Sequence, residues 1–283
     1  MFKLGLSSCS KEICDKLFKD YKKEGIDAIE ISRSSIDDCE ALDFELIDTL
    51  LNKYGIEPWS FHLPFIPFQK IDISSEELAE ESLSYLDTVM ERASAIGFTR
   101  FVVHPSGEPI DEDKRGARME RAKKSLFTLA ELAKKYGAQI AVEDLPRTCL
   151  GRDADDMREL LSAHPDLGVC LDTNHMLSSD PVELIYALGD KIITTHISDY
   201  DFINERHWLP GEGKIDWQRI IKALKDVGYK GAWLYEVDFG CPNTILRDRD
   251  LNCEDFSRNA RELFAGQKPT VISKPKPKLG YWE

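Results

Sequence analysis

Short runs of apolar and β-branched residues recur along the chain. Each is followed by a loop and then by a stretch in which apolar positions return every three or four residues. Eight such runs predict strands: Lys3–Leu6, Ala28–Ile31, Glu57–Phe61, Arg100–Val103, Gln139–Val142, Leu167–Leu171, Lys191–Thr195 and Ala232–Tyr235. Continuously apolar or nearly so, they fit parallel strands buried on both faces. The amphipathic stretches predict helices that stop at glycine, the residue favoured in the left-handed position after a helix: Lys11–Glu24 before Gly25, Phe44–Tyr54 before Gly55, Glu76–Ile96 before Gly97, Glu120–Tyr136 before Gly137, Pro181–Leu188 before Gly189 and Trp217–Val227 before Gly228. Asp153–Ala163 fills the fifth gap, and Asn252 with Asp255 predicts an N-cap opening a last helix, Cys253–Phe264.

Eight alternating units of about 35 residues predict an α/β chain folded as a single (β/α)8 TIM barrel over residues 1–266. A doubly wound open sheet would want a phosphate-binding glycine turn after an early strand, and neither G-x-G-x-x-G nor G-x-x-x-x-G-K-[ST] occurs. Residues 267–283 form a basic Pro/Lys-rich tail, with Tyr281 and Trp282 near its end, expected as an extended arm packed on a neighbour or as a disordered one.

Composition narrows the function. With 283 residues, 42% of them hydrophobic, the chain can bury a sizeable core. Its net charge of −14 opposes a phosphate-backbone partner and makes nucleic acid an unfavoured one. No apolar run approaches the roughly 20 residues of a membrane helix, and residues 1–10 lack a signal-peptide pattern, so a cytoplasmic protein without membrane contact is expected. Seven scattered cysteines, none in a C-x-x-C pair, suggest neither a disulfide framework nor a thiolate zinc site. A homo-oligomer remains open.

The chemistry lies at the strand ends. The third strand ends at His62, the fourth at His104, the fifth at Glu143, the sixth at Asp172, the seventh at His196 and the eighth at Glu236. Any one alone would read as a hydrogen-bonded rim residue, but six in succession converge on the face where barrels carry their active sites. His175 follows Asp172 closely, and Glu205-Arg206-His207 lies in the loop after the seventh strand. His164 reads as a helix cap. Carboxylate with imidazole and no thiolate favours one divalent ion, Mn, Mg, Co or Zn, which would offset the repulsion among the acids.

In these residues the sequence resembles the xylose isomerase-like barrel superfamily, in its sugar and sugar-phosphate isomerase/epimerase branch. The matching stretches are Phe-His-Leu-Pro-Phe (61–65), Val-Val-His-Pro-Ser-Gly (102–107), Val-Glu-Asp-Leu-Pro-Arg (142–147), Leu-Asp-Thr-Asn-His (171–175), Thr-His-Ile-Ser-Asp (195–199), Leu-Pro-Gly-Glu-Gly-Lys-Ile-Asp-Trp (209–217) and Tyr-Glu-Val-Asp (235–238). The resemblance implies one ion held by Glu143, Asp172, His196 and Glu236, with Glu143 and Glu236 also the acid/base pair and His175 touching substrate. Ketose epimerases carry a substrate-binding arginine soon after the metal histidine. Here Asp199-Tyr200-Asp201-Phe202 follows, and the nearest arginine is Arg206. His62, His104, Arg206 and His207 complete the substrate-binding candidates.

The expected reaction is proton transfer next to a carbonyl of a sugar, keto-sugar or sugar phosphate through an enediolate, with Lewis-acid help from the ion. Trp59, Phe65, Phe68 and Trp208 are candidates for excluding water or for ordinary packing. The same machinery would serve a dehydratase or lyase acting on a keto-sugar or keto-inositol. A catalytically silent sugar-binding barrel is an alternative of another class. A third alternative is an endonuclease IV-like repair enzyme, because His62, His104, Glu143, Asp172, His175, His196, Glu205, His207 and Glu236 resemble its three-metal set, with Glu205 in place of Asp.

Overall fold

The computed structural model describes residues 2–9, 11–65, 71–177 and 179–276. Strands β1 (Lys3–Ser7), β2 (Ala28–Ser32), β3 (Glu57–His62), β4 (Arg100–Val103), β5 (Gln139–Glu143), β6 (Gly168–Asp172), β7 (Ile192–His196) and β8 (Ala232–Tyr235) form one parallel sheet in which β8 pairs with β1 and each further strand with its successor. The sheet closes just beyond β7. There the Ile197 N–H donates to Leu234 O at 2.8 Å, and Ile197 O accepts the Glu236 N–H at 3.2 Å. The expected single TIM barrel is therefore the observed architecture.

The helices are α1 (Asp15–Lys23), α2 (Ile36–Glu40), α3 (Phe44–Tyr54), α4 (Ala79–Ser94), α5 (Glu112–Lys135), α6 (Ala154–Leu161), α7 (Pro181–Leu188), α8 (Trp217–Asp226) and α9 (Cys253–Phe264). Their apolar stripes bury against the strands: Trp217, Ile220, Ile221 and Leu224 do so on α8, and Phe61 of β3 packs edge-on against Phe98 at 5.6 Å. Asp43, Asp153, Asp180 and Asp216 accept first-turn N–H groups of α3, α6, α7 and α8, and Asn252 with Asp255 forms a full capping box on α9.

Several boundaries differ from expectation for identifiable reasons. Helix α5 starts at Glu112 rather than Glu120 because its first turns bury Arg115, which donates to Thr148 O and Cys149 O and pairs with Asp156, instead of an apolar side chain. Helix α1 starts at Asp15 rather than Lys11, since the Lys11 carbonyl accepts from the Arg33 guanidinium at 2.9 Å. The five-residue α2 is too short to show periodicity. Strand β9 (Ile245–Arg247) pairs antiparallel with β10 (Ser273–Pro275), so the start of the basic tail lies along its own chain. Tyr281 and Trp282 lie outside the described residues.

Two register shifts bear on the site. Between β2 and β3, Ile29 faces Pro58 but Glu30 faces Ser60, leaving Trp59 as the extra residue. Between β6 and β7, Val169 faces Ile192 but Cys170 faces Thr194, so Ile193 is extra and Asp172 faces His196. A slip of one residue exchanges the two faces of a strand, so these bulges decide which side chains reach the barrel interior.

Candidate active site

All six strand-end residues converge at the carboxyl end of the barrel. Glu143 is the hub, 1% exposed: Oε2 lies 3.1 Å from His62 Nε2 and 3.0 Å from His104 Nε2, and Oε1 lies 2.9 Å from His196 Nδ1. His196 Nδ1 is also 3.3 Å from Glu236 Oε2 and 3.9 Å from Asp172 Oδ2. One donor atom from each of Glu143, Asp172, His196 and Glu236 lies within 4.8 Å of the others. Asp172 Oδ2 is fully buried and has no hydrogen-bond partner, while its Oδ1 accepts the Asn174 N–H at 2.6 Å. A buried carboxylate oxygen left unsatisfied among three further ligating groups is the arrangement a divalent cation completes. The residues present therefore fit such an ion.

His175 donates from Nδ1 to Asp144 O at 2.7 Å, which aims Nε2 at Asp172 Oδ2 and Glu205 Oε2, each 3.6 Å away. His207, at the left-handed φ of 48°, sets Nδ1 3.8 Å from Glu236 Oε2 and Nε2 3.9 Å from Glu205 Oε2. Four donor trios overlap or adjoin the central four among the described residues: His62–His104–Glu143, His175–Glu205–His207, His62–His196–Glu236 and Glu143–Cys170–His196. Glu205 and Glu108 are both held by Arg147, whose Nη1 also donates to Asn204 Oδ1 at 2.9 Å. Arg206 sends its Nε to Asp201 Oδ2 at 3.0 Å in a buried pair.

The electrostatics separate the two glutamates. His196 and His104 hold Glu143 well below the carboxylate range despite its burial. Burial, reinforced by Glu143 and Asp172, pushes Glu236 up to about 7. Glu236 opens onto a cavity of about 380 Å³ lined also by Cys9, Ser32, Arg33, Ser34, Asp38, Phe65, His207 and Asp238. Phe65 stacks on His104 with ring centroids 4.1 Å apart and forms one wall. Trp208 is buried with its indole on Thr244, and Phe68 lies outside the described residues. Trp59 packs with Ala28, Ala232 and Leu234, residues of the strands' starts and middles, well below the strand-end cluster. His164 is likewise remote, bonded to Glu131 and the Asp166 N–H.

Sequence reasoning missed two buried acids. Asp144 accepts the Asp172 N–H at 2.8 Å, and burial raises its carboxyl well above the usual range. Glu30 of β2 accepts from Ser60 Oγ at 2.7 Å and lies 3.0 Å from His196 Nε2. An acid amid Ala-Ile-Glu-Ile was the available signal, since both faces of a barrel strand are covered.

A family model for the xylose isomerase-like TIM barrel matches residues 18–249. The chain belongs to that family. D-psicose 3-epimerase of Enterocloster bolteae is 26% identical, over 86% of this chain and 88% of its own length. Fructoselysine 3-epimerase of Escherichia coli O157:H7 is 24% identical, over 83% and 90%. A solved structure of a D-tagatose 3-epimerase-like protein superimposes with a TM-score of 0.78 at 21% identity, over 93% of this chain and 97% of that one. The family's matching relatives thus include sugar epimerases, and no helix among the described residues is long and apolar enough to cross a membrane.

Proposed function

We propose that the chain is a divalent-metal-dependent sugar epimerase or isomerase. The observation that carries this reading is the buried Glu143–Asp172–His196–Glu236 set with its partnerless Asp172 oxygen, beside a cavity large enough for a monosaccharide. The family relatives that are sugar 3-epimerases support it. Mn, Mg, Co and Zn all suit these donors. When bound, such a cation supplies Lewis-acid stabilisation to the negative charge that develops on the substrate oxygens.

The chain's own groups carry the proton. A carboxylate of the Glu143–Glu236 pair accepts the hydrogen from the carbon next to the carbonyl, and its partner donates one from the other face in an epimerase. His175, oriented by the Asp144 carbonyl, and His207 would hold substrate hydroxyls, with His62 and His104 lining the Glu143 side. Phe65 would shield the reacting carbon from water. Arg206 is tied to Asp201 through its Nε.

The test is incubation of the Mn²⁺-loaded chain with D-psicose, D-tagatose or fructoselysine in D₂O. Epimer formation with one deuterium at the inverted carbon supports the reading, loss of 18 mass units would make it a dehydratase, and no exchange with any of the three would count against proton transfer on these sugars. A second reading, the abasic-site endonuclease, rests on the His62–His104–Glu143 and His175–Glu205–His207 donor trios beside the central four. Against it, Arg147 and Arg206, in loops beyond strand ends, and Arg247 of β9 each hold a carboxylate, and the net charge is −14. Cleavage of an abasic duplex decides between them.

A further inference from the structure

We infer that Glu30 is a positioning residue that sets which nitrogen of His196 faces the cation site. The inference rests on the metal-site reading proposed above and adds a residue that lies outside every candidate ligand group among the described residues. Glu30 and His196 are both completely buried, on β2 and β7, strands that are not neighbours in the sheet. Glu30 Oε2 lies 3.0 Å from His196 Nε2, while His196 Nδ1 faces Glu143, Glu236 and Asp172 on the other side of the ring. An ionised carboxylate can only accept, so Nε2 carries a hydrogen toward Glu30, and a cation arriving between His196 Nδ1 and Glu143 Oε1, 2.9 Å apart, would take the Nδ1 lone pair in place of the proton shared there. The ring orientation and the basicity of its ligating nitrogen then follow from one buried hydrogen bond.

The two bulges build this contact. Because Trp59 is extra on β3, Ser60 comes opposite Glu30 and donates to the same Oε2 at 2.7 Å, fixing the carboxylate. Because Ile193 is extra on β7, His196 comes opposite Asp172. Trp59 Nε1 donates to Thr194 Oγ1 at 3.0 Å, tying the bulged stretch of β3 to the residue two before His196. Glu30 Oε1 is buried without a partner, so the carboxylate's stable contacts are all made through the oxygen that meets His196 and Ser60. An acid kept in so costly a place, and in contact with a candidate ligand rather than with the ion, acts through that ligand.

Two measurements test it. In the unmodified chain, with or without Zn²⁺, ¹⁵N NMR should show His196 Nε2 protonated and protected from exchange. A His196 protonated at Nδ1 alone, or bound to Zn²⁺ through Nε2, overturns the assignment whether or not any variant folds. Mn²⁺ affinity of the metal-free chain, measured by calorimetry with the metal alone, should weaken about 10-fold in Glu30→Gln and about 100-fold in Glu30→Ala. The Nε2–H signal should lose its protection in Glu30→Ala. Affinities of both variants within twofold of the parent overturn it. If no sugar is epimerised while these shifts appear, the proposed reaction fails and the Glu30 assignment stands.

Discussion

Asp199 accepts the indole N–H of Trp217 at 2.9 Å from within the loop that follows β7, and the same carboxylate takes backbone N–H groups of Tyr200, Gly211 and Ile215. One buried acid thereby folds the Pro210–Gly213 turn against the start of α8. Removing it leaves several buried donors unmet, each costing about 1–3 kcal/mol. Asp199→Ala should lower unfolding free energy by roughly 3 kcal/mol or more, read from urea midpoints. Gly213→Ala should destabilise through the same point, because a Cβ there would sit 2.3 Å from Asp199 Oδ1 and from Tyr200 O.

Glu143→Gln and Glu236→Gln should each lower turnover about 10²- to 10⁴-fold, the usual contribution of a positioned acid or base. Steady-state rates on D-psicose, corrected for metal content, check this. Near-normal turnover and metal content in both variants would refute the two-glutamate assignment.

Chelation should destabilise the fold as well as stop the reaction. Glu143, Asp172 and Glu236 crowd one buried volume with Asp144 beside them, and without a cation their mutual repulsion is offset only in part by His196 and His104. Mn²⁺ at about 100 times its Kd should raise stability by roughly 2.7 kcal/mol. Thermal melts with and without EDTA measure the difference, and metal analysis gives the ion count. One ion per chain agrees with the epimerase, three with the nuclease.

Acid stability should depend on Asp255. Despite its burial, this carboxyl, which caps α9 and pairs with Arg249 and Arg258, is held down to about 2 by those arginines and the Asn252 N–H. Its folded pKa lies below the unfolded value, so its contribution is complete above about pH 4 and disappears as pH falls toward 2. Asp255→Asn should lose about 1–2 kcal/mol at pH 7 and show a shallower decline between pH 4 and 2. Equal slopes in the two proteins would refute this.

The barrel was legible because parallel strands covered on both sides read as plain apolar runs, and the candidate site because six of them end in His, Asp or Glu. What escaped the sequence depends on contacts between distant segments. Glu30 reads like the polar member of an alternating strand until the Trp59 bulge brings Ser60 opposite it and the closed barrel brings His196 of β7 within reach. Helix α5 hides its first turns because the side chain it buries there is Arg115, matched by carbonyls 33 and 34 residues away. Strands β9 and β10 are three residues each and exist only through their mutual pairing.

The barrel's closing join differs from its other seven. Strands β7 and β8 meet through a backbone bridge at Ile197 and through Thr195, whose hydroxyl donates to Ala232 O at 3.0 Å; His196 and Glu236 lie immediately beside the bridge. A cation gripped by both would be a rivet across this seam, making the ion a mechanical part of the barrel and leaving the amides of Ile197 and Glu236 as the sensors of its departure.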